Sequence, residues 1–113
     1  YKNRFLIRLG EHFISIPDNE IACFYILERA TFLRTLADKD YAIDYSLDNL
    51  QEIINPDNFF RINRNSIINI NEIKDIQSYS SSRLKIKLKS DKPIYDLIVS
   101  KDKVSEFKKW IDK

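Results

Sequence analysis

The chain has 113 residues, with 19 Lys and Arg against 17 Asp and Glu, a formal charge of +2 when its one histidine is neutral. That length suits a single domain spanning residues 1–113, and 43% apolar against 32% charged residues marks a folded chain rather than a disordered one. No apolar run approaches the about 18 residues of a membrane-spanning helix, so no membrane contact is expected. The sole Cys23 and sole His12 exclude disulfide scaffolds, Cys/His metal sites and any triad that does not use His12.

One unpaired thiol and the lack of a secretory signal pattern fit a reducing, cytoplasmic setting. With no Met, residue 1 is not a natural start, and the chain is expected to be a piece of a longer protein. Charge is unevenly placed. Residues 1–56 carry six basic and nine acidic side chains, a balance of −3, whereas residues 57–113 carry 13 basic and 8 acidic, a balance of +5. A basic C-terminal half points toward an anionic partner and says little about fold.

In chain order, residues 4–9 and 12–16 predict two short strands around a tight turn, with Gly10, the only glycine, supplying positive φ. Pro17-Asp18-Asn19 ends the second strand and opens a single helical turn. Ile21–Leu27 is almost wholly apolar, and its β-branched and aromatic content favours a strand. Thr31–Ala37 and Tyr41–Tyr45 continue the meander. Ser46 then introduces Leu47, Leu50, Ile53 and Ile54 at helical spacing, under an N-cap serine with Asp48 in the first turn, and Asn55-Pro56 stops that helix.

Phe59–Ile70 reads as short strand pieces, and Ile73 and Ile76 centre the next segment, Asn71–Tyr79. Ser80-Ser81-Ser82 is a hairpin loop. Beyond it Arg83–Lys89 alternates perfectly, aiming Leu84, Ile86 and Leu88 at a core and four cations away from it. Ile94–Val99 predicts a last strand, and Ser100 the cap of a final helix with an inner stripe of Val104, Phe107 and Ile111. Lys101 and Lys103 fall in that helix's first turn, where the macrodipole disfavours cations unless an anion lies near. Many short strands with two small helices argue for a mainly β architecture.

Chemistry is sparse. None of the 17 carboxylates sits beside a second catalytic type at a meaningful spacing, one glycine cannot build a phosphate-cradling loop, and Cys23 between Ala22 and Phe24 reads as a core thiol. No enzyme, cofactor or metal is expected. The stretch Asn58–Asn69 differs, because it sets Arg61, Asn63, Arg64, Asn65 and Ser66 between the apolar anchors Phe59, Phe60, Ile62, Ile67 and Ile68. If the polar members point outward, Arg and Asn are the side chains that read base edges and grip phosphates. Equally, the arginines could pair with acids such as Asp57 and Glu72.

Taken together, these segments resemble the LytTR family, the DNA-binding output domain of many bacterial two-component response regulators. The resemblance runs nearly end to end. Ile21–Tyr25 is similar to the family's "I-x-Y-x-E" segment, and Asp44-Tyr45-Ser46-Leu47 with Leu50 precedes the short helix. Phe59-Phe60-Arg61-Ile62-Asn63-Arg64 with Asn69 is similar to "F-x-R-x-H-R-x-x-x-V-N", and Val99-Ser100-Lys101 to the closing "V-S-R". Ala30 and Asp102 depart from the family, where a polar and a basic residue are common at those places.

The resemblance implies an elongated stack of small antiparallel sheets with a short mid-chain helix and a C-terminal helix, whose loops rather than a recognition helix enter successive major grooves. It implies double-stranded DNA as partner, an N-terminal receiver domain in the full-length protein, and two copies on direct repeats. Site residues follow by position: Arg64, helped by Asn63 and Arg29, toward base edges, with Asn65 beside them, and Arg61, Ser100, Lys101 and Lys103 toward phosphates. The other reading of the residues is a β-rich interaction or ligand-sensing module whose basic face binds an acidic protein or a small anion.

Overall fold

The computed structural model describes residues 1–113. Arg4–Leu9 (β1) and His12–Pro17 (β2) pair antiparallel through a two-residue turn with Gly10 at φ 62°. The second sheet has five strands: Ile21–Leu27 (β3), Ala30–Thr35 (β4), Asp40–Ile43 (β5), Phe59–Asn63 (β6) and Ser66–Asn69 (β7), in the order β5-β4-β3-β7-β6. The third contains Ile73–Tyr79 (β8), Arg83–Leu88 (β9) and Leu97–Val99 (β10), in the order β10-β9-β8. Every pairing is antiparallel. Helices Leu47–Ile53 (α1) and Val104–Ile111 (α2) complete a molecule of 47 × 27 × 23 Å, elongated as the family resemblance implies.

Strand β3 explains the layering. Its run of apolar residues is buried on both faces, since alternate side chains leave a strand on opposite sides, and a bulge between Ile21 and Cys23 brings Ile21 to the face of Phe24. Ile21 and Phe24 enter one core with Phe5, Ile7, Leu33, Leu47, Leu50 and Ile67, between the sheet, the β1–β2 hairpin and α1. Cys23 and Tyr25 enter a second core with Ile62, Ile68, Ile86, Val99 and Phe107, beneath the third sheet and α2. Burying each such large apolar side chain contributes about 1.5–3 kcal/mol. Burial also pushes the Cys23 thiol up to about 12, which leaves it inert.

Local signals hold where they are strongest. Ser46 accepts a hydrogen bond from the Asn49 N–H at 3.0 Å and caps α1. Strand ends shift: β4 stops at Thr35 rather than Ala37, and β5 covers Asp40–Ile43 rather than 41–45. The last strand is three residues instead of six, because the chain before it is drawn across to the five-stranded sheet. There Arg34 Nη1 donates to the Lys92 carbonyl at 2.6 Å and Nη2 to that of Pro93 at 3.5 Å.

Arg34 itself is 3% exposed, an arginine at a core position. Its Nε donates to Asp40 Oδ1 at 2.8 Å, and Asp40 also accepts from the Tyr25 hydroxyl at 2.8 Å and from Lys92 Nζ at 2.6 Å. Burial alone would raise the Asp40 carboxyl, but the donors Arg34, Lys92 and Tyr25 outweigh it and hold it below its ordinary value. Burial, reinforced by the bond to Asp40, pushes the Tyr25 phenol up to about 12. One ionic knot thus staples the loop ahead of β10 to the five-stranded sheet.

Candidate nucleic-acid interface

Antiparallel pairing decides which turns share an end of the molecule. Strand β3 finishes at Leu27, opposite Ala30, and Tyr25 lies opposite Ser66, so the β3–β4 and β6–β7 turns leave the sheet side by side. The Ile26 N–H donates to the Asn65 carbonyl at 2.9 Å, tying the roots of the two turns. A third segment arrives from β10, where the Ser100 N–H donates to the Ile62 carbonyl at 2.9 Å and Lys101–Lys103 then forms a 3₁₀ turn.

At the tip of the first turn Glu28 and Arg29 stand at φ 51° and 68°. A two-residue hairpin of this kind needs positive φ at both central residues, a place normally held by Asn-Gly. Left-handed backbone costs a residue with a Cβ about 1–2 kcal/mol. The strain is borne at a tip that presents Arg29 to solvent. In the second turn Arg64 and Asn65 are exposed, and no protein group accepts from the Arg64 guanidinium. Arg64, Asn65 and Lys103 line two adjoining open depressions, one completed by Asn63, Ser100 and Asp102, the other by Arg61, Asp48 and Gln51.

Three other expected residues have their polar atoms satisfied within the protein. Arg61 lies on the α1 side of β6, where its Nη1 donates to Asp48 and Gln51, its Nε to the Asn63 carbonyl and its Nη2 to the Arg64 carbonyl. An acid does claim this arginine, but it is Asp48 of α1 and not Asp57 or Glu72. Asn63 does not point outward either. Its Nδ2 donates to the Ile98 carbonyl at 2.8 Å, and its Oδ1 accepts from the Asn65 N–H at 2.8 Å and the Ser66 hydroxyl at 3.0 Å.

Ser66, expected outside, is fully buried. Ser100 makes no side-chain cap, because its hydroxyl donates to the Ile62 carbonyl at 3.3 Å, and Lys101 and Lys103 occupy a 3₁₀ turn ahead of α2 rather than the first turn of the helix. Asn69 is buried as well, its Nδ2 donating to the Ile21 carbonyl at 2.8 Å. What remains free at this end is Arg29, Arg64, Asn65, Lys101 and Lys103. Sequence gave no sign of Tyr95, whose hydroxyl reaches both Ile26 and Asn65.

A protein-family model described as the LytTr DNA-binding domain matches residues 11–112. The chain belongs to this family. Among solved structures, the LytTr DNA-binding domain of a protein described as a methyl-accepting/DNA response regulator from Bacillus cereus superposes with a TM-score of 0.85. That match is 20% identical in sequence and covers 100% of each chain, so it establishes the shared fold. Comparison with curated proteins gives no match. This LytTr domain therefore carries the family's architecture from its first hairpin to its last helix, and no helix in it is long and apolar enough to cross a membrane.

Proposed function

We propose that this LytTr domain binds double-stranded DNA sequence-specifically and regulates transcription as the output domain of a response regulator, governed by an N-terminal receiver domain. The observation that carries the reading is the gathering of three turns at one end of the molecule, bearing cations that no protein acceptor claims. Arg64, with Arg29 and Asn65 beside it, is assigned to base edges in the major groove. Arginine presents two parallel donors to guanine, and asparagine a donor and an acceptor to adenine. Lys101 and Lys103 are assigned to phosphates, which fix register without carrying sequence information.

Arg61, Asn63 and Ser100 take a different part from the one their residue types suggest. Their polar atoms are satisfied within the protein, and they hold the turns that carry Arg64 and Lys103. A reader held by several bonds loses little freedom on binding, so its contacts discriminate more sharply. The open shape of the depressions also suits a long polyanion better than a small enclosed anion.

Selection of bound duplexes from a random library tests this reading. The expected outcome is an enriched motif whose half-site spacing also shows whether two copies bind direct repeats. A folded domain that enriches nothing, or whose retention of duplexes ignores salt, would leave the acidic-protein alternative in its place.

A further inference from the structure

The hydroxyl of Tyr95 lies 3.0 Å from the Ile26 carbonyl and 2.9 Å from the Asn65 carbonyl. A phenol has one O–H to donate, so a single proton is shared between two acceptors, one on β3 and one in the β6–β7 turn. Ile26 stands two residues before the Glu28-Arg29 tip, and Asn65 belongs to the Arg64-Asn65 tip. Tyr95 is itself carried by the segment that continues through β10 into Ser100–Lys103. One side chain therefore touches the roots of two turns and belongs to the segment that delivers the third.

Its own position is over-determined. The backbone two and three residues earlier is gripped by Arg34 at the Pro93 and Lys92 carbonyls, and the Tyr95 ring meets Tyr25 edge-on at 6.5 Å between centroids. The Asn63 amide adds a parallel tie from the second turn to β10 through Ile98. Hydrophobic contact could hold the ring, but the hydroxyl's placement between two carbonyls of the recognition turns is a separate, polar feature.

We propose that Tyr95 is a specificity-determining positioning residue, whose hydroxyl fixes the β3–β4 and β6–β7 turns relative to each other so that Arg29 and Arg64 meet their base edges together. The proposal rests on the reading of those turns as DNA-contacting. It predicts that removing the hydroxyl loosens the spacing between the readers while phosphate attraction persists, since Lys101 and Lys103 do not depend on that proton.

The test compares Tyr95→Phe with the unaltered domain in three measurements: thermal denaturation, amide hydrogen exchange at residues 26–31 and 63–66, and affinity for a selected duplex against a random one at the same salt. Loss of one shared hydrogen bond is expected to weaken the selected duplex about three- to tenfold. Random-duplex affinity should stay within about twofold, being governed by phosphate contacts, and exchange in both turns should quicken in a domain that remains folded. An unchanged selected-to-random ratio, or equal loss on both duplexes, overturns the proposal. Quickened exchange in a domain that never preferred any duplex overturns the DNA reading instead, and the positioning role with it. Should Tyr95→Phe melt near the assay temperature, the selected-to-random ratio measured at a lower temperature, where the variant is folded, must show the same fall.

Discussion

Arg34 and Arg64 are the same residue type in opposite circumstances. Arg34, toward one end of the five-stranded sheet, is buried among Asp40, Tyr25 and two main-chain carbonyls. Arg64, at the other end, stands in solvent beside a depression lined by Asn65 and Lys103. Supply of acceptors makes the difference. Where the fold surrounds a guanidinium with carbonyls and a carboxylate, arginine becomes a structural tie; where it offers no acceptor, the same five donors stay open to solvent.

The strongest way to break that contrast is to remove the buried partner. Arg34→Met leaves Asp40 half-buried with only Lys92 and Tyr25, and should lower stability by about 3 kcal/mol, the lower end for breaking a buried pair, read from the denaturant midpoint at constant m. Arg64→Ala should do the reverse. It is expected to leave the melting curve unchanged and cost about 1–3 kcal/mol on a selected duplex only. Equal loss on random DNA would argue against a reading role. Arg61→Ala, three residues away, should combine both effects, because removing its tie to α1 frees the turn that holds Arg64.

Smaller effects sharpen the division between reading and gripping. Lys101→Ala or Lys103→Ala should weaken all duplexes alike and reduce the slope of log K against log salt by about one unit each. Acid should weaken the buried end. The Asp40 carboxyl in the folded protein lies below its ordinary value of 3.8, so its contribution is present above that pH and is lost as pH falls through the folded value. Asp40→Asn should flatten that part of the stability profile. At the alkaline limit the Tyr25 phenol, raised from 10.0 to about 12, contributes below pH 10 and loses that contribution as pH climbs between the two values.

Much of this was legible from residues in order. The β1–β2 hairpin, the Ser46 cap, the apolar β3 and the alternating β9 follow from local rules, since periodicity and turn chemistry are properties of neighbours along the chain. The short β10 was not legible, because carbonyls of residues 92 and 93 are claimed by Arg34, 58 and 59 positions away. Ser100 misled for a similar reason. Its hydroxyl was drawn to Ile62, 38 residues off, instead of the adjacent helix.

Within Asn58–Asn69 residue type marked candidates, and the structure sorts them by their partners. Arg61, Asn63 and Ser66 share composition with Arg64 and Asn65, yet the bulge between β6 and β7 and the position of α1 turn the first three inward. Charge type names a candidate; the distance to the nearest acceptor assigns its work.

The amino-acid order alone determined that this would be a strand-rich domain of the LytTr kind with a basic second half, because apolar alternation, caps and motif spacing are written locally. Only the tertiary structure decided which cations remained free. Hydrogen-bond partners for arginine, asparagine and tyrosine come from strands distant in sequence, and a polar side chain is available to DNA only when none of those partners has already taken its protons.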